Sequence, residues 1–455
     1  MGAGSKKGRR RSAEAEGRRK GGGHLCLSTR FAVAVLLGTL ILSLCLEHWS
    51  SHTPPLRIEG FAEPAFRQVE EQFRANFQSG WEERGGASVA VYHEGRRVVD
   101  LWGGWADVAA ARPWREDTLT VVYSSTKAVS ALVMAVLVDR GLMSYNDRLV
   151  THWPEFGQHG KQNVTLRMLL SHRAGLTHTD EVLDILGTIP DHEEMGRILA
   201  GQKPHWTPGE GAAYHAFTFG WLCDQLVRRV DPKHRSLSRF FQEEIAQPNG
   251  IEFYIGFPKE LYWRLTRPKW TGLLDSLRRA WDYRFVIMQL LLQTEFLKPW
   301  SIIRKMFTNP QILPMNMEGN LFDNPEVLEH EWPAANGVSN SRNLAHLFSL
   351  LQQGKIISYP TLRMLEVPES VDERDLALGL PVSWGLGFMM TRPPSGDGWQ
   401  FGSPGAGGQN VKVDLGRGLA FAYNTNALKP EMGDLVQTFS KLQDAIYRCL
   451  DNLPQ

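Results

Sequence analysis

Cysteine is scarce in this chain, and its scarcity excludes two classes of protein. Only four cysteines occur among 455 residues. Cys26 and Cys45 belong to an N-terminal hydrophobic stretch, which leaves Cys223 and Cys449 for the main body. These four residues form neither the framework of a disulfide-rich protein nor the cysteine spacing of a zinc site. Cys223 lies in an apolar helical stretch and is predicted to be a core thiol; a Cys223–Cys449 bridge is the alternative.

A strong net charge is also missing. Fifty Lys and Arg residues oppose 49 Asp and Glu residues, for a formal net charge of +1. No global field therefore argues for a nucleic-acid partner. The His and Asp residues show no ligand spacing, so we predict no metal and no cofactor. The basic residues are uneven, however: residues 1–30 contain nine of them in a Gly- and Ser-rich context. This composition predicts a disordered tail, with a nuclear-localisation or nucleic-acid patch as the alternative.

One hydrophobic stretch follows that tail. Phe31–Leu46 holds sixteen uncharged residues, and flanking residues can extend it toward the roughly 20 that a bilayer requires. We assign residues 31–48 to a transmembrane signal anchor; a cleaved signal peptide is the rival. The preceding positive charges predict a cytoplasmic N-terminus and a lumenal or extracellular body. In that compartment Asn163, in the triplet Asn163-Val164-Thr165, is a glycosylation site.

Strand patterns occur at both ends of the main body, and helical patterns lie between them. Residues 49–60 are predicted to be a linker and residues 61–455 the catalytic domain, beginning with a helix over Phe61–Gln78. A hairpin is predicted around His93-Glu94-Gly95 and another around Gly416-Arg417-Gly418. This arrangement predicts an α+β domain closed by its two ends, with an inserted helical domain. Residues 256–310 are an insert, in which Phe285–Leu292 is a buried helix or an amphipathic lid.

The stretch Val121–Gly141 carries the chemistry. It contains an S-x-x-K pattern, Ser124 to Lys127, followed by an almost wholly apolar run that predicts a buried helix. Residues three apart share a helix face, so the Lys127 amine can reach the Ser124 hydroxyl. Burial and the positive end of the helix dipole both lower the pKa of such a lysine and make it a base. A free serine is a poor nucleophile and requires a base of this kind.

Six motifs in order carry a resemblance to a known family: VYSSTKA, SHRAGL, PGEGAAYHAFTFGWL, WPAANGVSNSRNLA, WGLGF and FGSPGAGG. Together they resemble the serine β-lactamase/penicillin-binding-protein-like superfamily, and most closely its class C β-lactamase-like esterase branch. The resemblance covers roughly residues 60–450 apart from the insert. It implies the β-lactamase/DD-peptidase fold, an antiparallel sheet flanked by helices.

The resemblance also implies roles for individual residues. Ser124 matches the nucleophile, Lys127 its base partner, and Tyr214 the tyrosine that exchanges a proton with the lysine. The strand motif corresponds to Ser403-Pro404-Gly405, and the backbone N–H groups of Ser124 and Ala406 would form the oxyanion hole. Two residues depart from the pattern, because Ala216 replaces a substrate-orienting Asn and Ser403 replaces a basic residue. The Ala216 departure argues against strong β-lactamase activity, and the Ser403 departure favours neutral or lipid-like acyl substrates, with reduced activity as the alternative. His172 is interpreted as a structural histidine on a tight turn, with a Ser–His pairing as the alternative.

The predicted function is hydrolysis of esters through an acyl-enzyme on Ser124, with amides or peptides as the less favoured substrates. The alternative is a non-catalytic scaffold or binding protein on the same fold, because fold alone does not establish function. The predicted partners are a small-molecule or lipid-like acyl substrate and a membrane held through the N-terminal helix. Self-association into a homo-oligomer stays open.

Overall fold

The computed structural model describes residues 2, 31, 33–43, 56–78, 85–270, 298, 300–310, 320–429, 431 and 433–454. Two compact units are distinguished, Met1–Leu56 and Arg57–Gln455. In the first, residues 33–43 are helical and their apolar side chains are exposed. Within the described part of the chain, no helix combines the length and the apolar character that a membrane span requires. The predicted segment 31–48 lies partly outside the described residues, as does the tail 1–30 apart from Gly2.

A ten-stranded sheet forms the centre of the second unit, with strands in the order β1-β3-β2-β13-β12-β11-β10-β9-β8 and β4 paired to β3. Its neighbouring strands are antiparallel. Two small sheets pair β14 with β6 and β5 with β7. The strands are β1 (Ile58–Ala62), β2 (Gly86–His93), β3 (Arg96–Asp107), β4 (Arg112–Pro113), β5 (Thr120–Tyr123), β6 (Lys269–Trp270), β7 (Gly337–Ser339), β8 (Ser370–Arg374), β9 (Pro381–Trp384), β10 (Met389–Thr391), β11 (Gln400–Gly402), β12 (Asn410–Asp414), β13 (Leu419–Thr425) and β14 (Ala427–Leu428).

Helices cover both faces of the large sheet. The described α-helices are α1 (Arg67–Gln78), α2 (Thr126–Asp139), α3 (Leu166–Leu170), α4 (His192–Gly201), α5 (Thr218–Val230), α6 (Leu237–Phe241), α7 (Ile302–Thr308), α8 (Pro325–Leu328), α9 (Ser341–Gln352), α10 (Tyr359–Leu365) and α11 (Gln437–Asp451). Short 3₁₀ helices occupy Pro64–Phe66, Leu149–Thr151, Pro154–Gly157, Lys161–Asn163, Gln247–Asn249, Lys259–Arg264, Leu321–Asp323 and Gly433–Leu435, and a π-helix occupies Gln242–Ala246.

The alternation of side chains along each strand separates two hydrophobic cores. Val89 and Val91 of β2 pack in one core with Phe73 of α1 and Phe439 of α11. The intervening Ala90 lies in the other core, with α2 and α9. Successive strand residues point to opposite faces of a sheet, so one strand can supply both cores. The second core contains α2, whose residues from Thr126 to Leu137 are all buried, as the apolar run predicts.

The two ends of the second unit meet in the sheet, because β2 pairs with β13 over seven residue positions. Both predicted hairpins are present, as β2–β3 and β12–β13. The predicted N-terminal boundaries are wrong in detail. Residues 58–60 of the predicted linker belong to β1, which also takes Phe61 and Ala62 from the predicted helix. This segment pairs with β3 as an edge strand, and the backbone hydrogen bonds of that pairing outweigh the helical spacing of its apolar residues.

The insert is partly described. Residues 259–264 form a 3₁₀ helix, β6 pairs in parallel with β14, and α7 follows. The predicted helix or lid at Phe285–Leu292 lies outside the described residues. Trp384 ends β9, and residues 385–388 make the turn between β9 and β10. Gly387 has a φ of +88°, and a Cβ there would lie 2.5 Å from Ala131 Cβ, so the turn packs directly against α2.

Candidate active site

Ser124 stands between the end of β5 and the start of α2. The preceding residue, Tyr123, has a φ of +47°, a left-handed conformation that is costly for a bulky residue. Its surroundings hold it there: Asn320 donates to the Tyr123 hydroxyl, and the Thr126 hydroxyl donates to the Tyr123 carbonyl. The Thr126 oxygen also accepts the Gly337 N–H at 2.8 Å, which ties this turn to β7. The half-buried Ser124 is thus presented on a rigid turn.

Lys127 lies one turn along α2 and is buried, with a relative exposure of 2%. Its Nζ lies 3.1 Å from Ser124 Oγ. Two backbone carbonyls accept from the same nitrogen, Ala216 O at 2.6 Å and Ala334 O at 2.9 Å. Among the described residues no carboxylate forms an ion pair with this amine. Burial therefore lowers the pKa of Lys127 well below its ordinary value.

The three partners of Lys127 suit both of its protonation states. A neutral amine has two N–H donors and one lone pair. The carbonyls of Ala216 and Ala334 can only accept, so they take both donors. The lone pair then faces Ser124 Oγ, ready to accept the hydroxyl proton. After that transfer the ammonium donates to all three oxygens, so the proton moves without rearranging the site.

Tyr214 completes a cluster of three side chains. Its hydroxyl donates to Ser124 Oγ at 2.7 Å, and Lys127 Nζ lies 4.7 Å from the centre of its ring. Burial raises the pKa of Tyr214; the hydrogen bond with Ser124 opposes this shift and the charge of Asp375 adds to it. The tyrosine is therefore a neutral phenol at physiological pH. The structure brings the predicted trio together, although their shared geometry could not be read from their spacing.

Asp375 and Trp384 support Tyr214, and sequence reasoning missed the first of them. The Asp375 side chain is fully buried, and its carboxylate faces the backbone N–H of Tyr214. It also accepts the N–H groups of Ala377 and Leu378, at 2.9 and 2.8 Å, and the Trp384 indole N–H at 3.2 Å. The Trp384 ring lies parallel to that of Tyr214, with centroids 5.9 Å apart. A lone acidic residue in a polar stretch gives no sequence signal of such a role.

The Ser403-Pro404-Gly405 segment follows β11 and lies against the nucleophile. The Ser403 hydroxyl donates to the Ser124 carbonyl at 2.8 Å, and the Ser125 hydroxyl donates to the Ser403 carbonyl at 2.8 Å. A Cβ on Gly405 would lie 2.3 Å from the Val122 carbonyl oxygen, so only glycine allows this approach. Ala406 follows and is exposed.

The insert contributes an apolar cluster beside the trio. Met306 of α7 is buried against Ala213, Ala216 and Ala377, and Tyr214 packs against the same cluster. The rings of Phe217 and Phe307 meet edge to face at 5.9 Å. Ala216 thus presents a methyl group to an apolar wall, on the segment whose carbonyl holds Lys127.

The remaining candidate residues lie as follows. His172 is buried, has a φ of +61° and accepts the His215 N–H on Nδ1 at 3.1 Å. This agrees with a structural histidine on a tight turn. Asn163 ends a 3₁₀ helix and is exposed, and the nearby Thr165 caps α3. Cys223 and Cys449 are both buried and both free, so the alternative of a bridge between them is wrong.

The sequence of this chain matches a known protein family. The family described as Beta-lactamase covers residues 73–445. The chain belongs to the β-lactamase family. It is 32% identical to the Esterase/beta-lactamase LipL of Mycobacterium tuberculosis over 399 residues, which cover 83% of this chain and 86% of that protein. The predicted family and its α+β fold are thereby confirmed.

Two solved structures resemble this chain closely. The crystal structure of a family VIII carboxylesterase superposes with a TM-score of 0.74 and 31% identity, covering 86% of this chain and all of the other. A penicillin-binding protein homologue from Caulobacter crescentus gives a TM-score of 0.71 at 31% identity, with the same coverage. These neighbours include a carboxylesterase and a penicillin-binding protein homologue, so the family and fold alone leave the substrate of this member open.

Proposed function

We propose that this chain is a serine hydrolase that cleaves carboxylic esters through an acyl-enzyme formed on Ser124. One observation carries the proposal: Ser124 Oγ lies within hydrogen-bond distance of both the Lys127 amine, at 3.1 Å, and the Tyr214 hydroxyl, at 2.7 Å. A nucleophile paired with a buried base is the arrangement that covalent acyl transfer requires. The likeness to LipL and to a carboxylesterase supports esters as the substrate class.

In the first half-reaction the Ser124 proton passes to neutral Lys127 as Oγ attacks the ester carbonyl carbon. The negative charge that develops on the carbonyl oxygen is stabilised by the backbone N–H groups of Ser124 and Ala406. Collapse of this intermediate breaks the bond to the alcohol. The alcohol oxygen takes a proton from Tyr214, whose hydroxyl is replenished from Lys127. The enzyme is left with an ester on Ser124 and a neutral amine.

The second half-reaction runs the same steps in reverse with water. Lys127 accepts a proton from water as its oxygen attacks the acyl carbon, and the proton returns to Ser124 Oγ as the ester bond breaks. Tyr214 acts as a neutral donor throughout, since its pKa is raised. In this mechanism Lys127 is the base, and the resting Tyr214 is a neutral phenol and not a phenolate base.

Neutral or lipid-like acyl esters are the proposed substrates within this class. The Ser403 hydroxyl is occupied by the Ser124 carbonyl, at 2.8 Å. The nearby cation of β12, Lys412, is buried and paired with Asp434 at 3.0 Å. Apolar groups surround Ala216 on the other side. The negative charge of a substrate carboxylate would therefore find no free cation there among the described residues, whereas an uncharged acyl chain needs none.

The scaffold alternative is not favoured by these contacts. A buried lysine without a carboxylate partner is expensive to fold, because its charged form must be suppressed. Here two backbone carbonyls hold that amine so that it also meets a serine hydroxyl, and Tyr123, next to that serine, carries backbone strain. Strain and a perturbed amine in one place are typical of a catalytic site.

The N-terminal segment is proposed to hold the body at a membrane. We infer a signal anchor over residues 31–48, with the tail 1–30 cytoplasmic and the body lumenal or extracellular. Support comes from the nine basic residues before Phe31 and from the exposed apolar side chains of residues 33–43, among them Leu36 and Leu42.

A fluorophosphonate probe tests the proposed nucleophile. The wild-type chain should be labelled on Ser124, and Ser124→Ala should not be labelled. Ser144→Ala is the matched control, because Ser144 is an exposed serine outside the site. Absence of label on the folded wild-type chain, or equal labelling of Ser124→Ala, would favour the scaffold.

A further inference from the structure

Two histidines and an aspartate meet in a cluster that the proposed reaction does not use. One ring nitrogen of His178, one of His205 and a carboxylate oxygen of Asp180 lie within 4.8 Å of one another. The two rings stack with centroids 3.7 Å apart and an angle of 9° between their planes. His178 is buried, with 5% of its surface exposed, while Asp180 is exposed. The cluster is therefore open to solvent on its carboxylate side.

Each of the three side chains is held by a further hydrogen bond. His178 Nδ1 lies 3.0 Å from Thr177 Oγ1. His205 donates from Nε2 to the His178 carbonyl at 3.1 Å, which leaves the lone pair on its Nδ1. Asp180 Oδ2 accepts from Gln202 Nε2 at 2.9 Å. Metal-binding histidines and carboxylates are characteristically oriented by partners of this kind.

His178 has one polar atom without a partner. Its Nε2 is buried and makes no hydrogen bond with any of the described residues. Leaving such an atom unpaired costs about 1–3 kcal/mol, so the atom points to a missing ligand. When His178 donates from Nδ1 to Thr177, Nε2 carries the lone pair.

We propose that His178, His205 and Asp180 bind a divalent transition-metal ion, with Zn²⁺ as the best match. Two neutral imidazoles and one carboxylate are a common zinc donor set, and the exposed side leaves a fourth position for water. Both lone pairs can point at one ion only if the rings incline, so binding must open the 9° interplanar angle. The Lys305 ammonium opposes the ion, and the Asp180 carboxylate offsets it.

The position of the cluster indicates what the ion would do. Asn309 follows α7 and donates to the Thr179 and Glu181 carbonyls, at 2.8 and 2.7 Å. The loop that carries His178 and Asp180 is thus tied to α7, whose Met306 packs against Ala216. A metal ion at the cluster would brace the apolar wall beside the trio. Its binding requires no step at Ser124 and can be measured independently of ester hydrolysis.

Zinc binding by the full chain is the test. The protein is freed of metal with a chelator and titrated with Zn²⁺ against a chromogenic competitor, and with Co²⁺ for its visible absorption spectrum. We expect one tight equivalent and a tetrahedral Co²⁺ spectrum. Asp180→Asn and His205→Gln should each weaken Zn²⁺ binding at least about 100-fold, and Gln202→Ala about 10-fold. His192→Gln alters an exposed histidine outside the cluster and should change nothing.

Two further comparisons make the result decisive. Ser124→Ala should bind Zn²⁺ as the wild type does, so a failure of the proposed esterase activity would leave the proposed Zn²⁺ site unaffected. Asp180 is exposed, and its Asn variant keeps the shape of the side chain, so a folding defect does not obscure the outcome. Binding of less than one Zn²⁺ per chain would overturn the proposed site. Equal Zn²⁺ binding by wild type, Asp180→Asn and His205→Gln would also overturn it and would identify surface histidines as the binders.

Discussion

The buried carboxylate of Asp375 accepts the indole N–H of Trp384, the ring that stacks on Tyr214, and faces the backbone N–H of Tyr214. One side chain therefore positions the ring that packs on the proposed proton donor and lies beside the donor's own backbone. Its charge also raises the pKa of Tyr214. Asp375 is accordingly a positioning residue, which acts on the reaction through Tyr214 without touching the substrate.

Asp375→Asn should lower kcat about 10-fold or more, with little change in KM, because positioning of the donor matters most in the transition state. Removing the negative charge should also lower the pKa of Tyr214, so the alkaline limb of the pH–rate profile should move to lower pH. The measurement is kcat and KM across pH for an alkyl ester, whose leaving alcohol takes its proton from Tyr214. A variant with reduced stability but an unshifted profile would mean that Asp375 is only structural.

The pH dependence of ester hydrolysis should report Lys127. Activity requires the neutral amine, so the rate should fall as pH drops through the lowered pKa of Lys127 and the amine is protonated. The same burial makes the folded chain bind fewer protons than the unfolded chain below pH ~10.4, the pKa of a free lysine. Stability should therefore rise with pH in the interval between the two pKa values. In Lys127→Met that rise should be smaller, as denaturant unfolding at several pH values would show; an equal slope would refute the argument.

Substrate charge should separate esters from β-lactams. β-Lactams carry a carboxylate, and burying an unpaired carboxylate costs several kcal/mol, or a few orders of magnitude in rate. We expect kcat/KM for a neutral p-nitrophenyl ester to exceed that for a chromogenic cephalosporin by at least about 100-fold. Ser403→Ala should reduce both activities, because the Ser403 hydroxyl holds the Ser124 carbonyl. Equal turnover of the two substrates would show that another group compensates the carboxylate.

Glycosylation of Asn163 follows from the proposed topology. Asn163 is exposed, so a lumenal body should carry a glycan there. Endoglycosidase treatment should shift the wild-type chain in a gel and leave Asn163→Gln unshifted. Asn249→Gln, at an asparagine outside any sequon, should still shift. An unshifted wild type that is cleaved by protease from the cytosolic side would reverse the orientation.

Much of the domain could be predicted from the chain because its strongest signals are local. The almost wholly apolar run after Lys127 predicts a buried helix, and the hairpins have clear turns. The β1 strand could not be predicted, since its pairing with β3 is a tertiary contact between segments forty residues apart. The site shows the same difference between local and tertiary signals. Ser124, Lys127 and Tyr214 lie in sequence motifs. Asp375 approaches Tyr214, and His205 approaches His178 and Asp180, only when the chain folds.

The most direct test of the account is the hydrolysis of a short alkyl ester, whose leaving alcohol requires a proton, by wild type, Ser124→Ala, Lys127→Ala and Tyr214→Phe, with Ser144→Ala as the matched control. Residues that act as one unit give non-additive losses. Each single change in the trio should lower kcat/KM by at least about 1,000-fold, double changes should add little, and the control should match wild type. Wild-type turnover by Ser124→Ala would contradict the account at its centre.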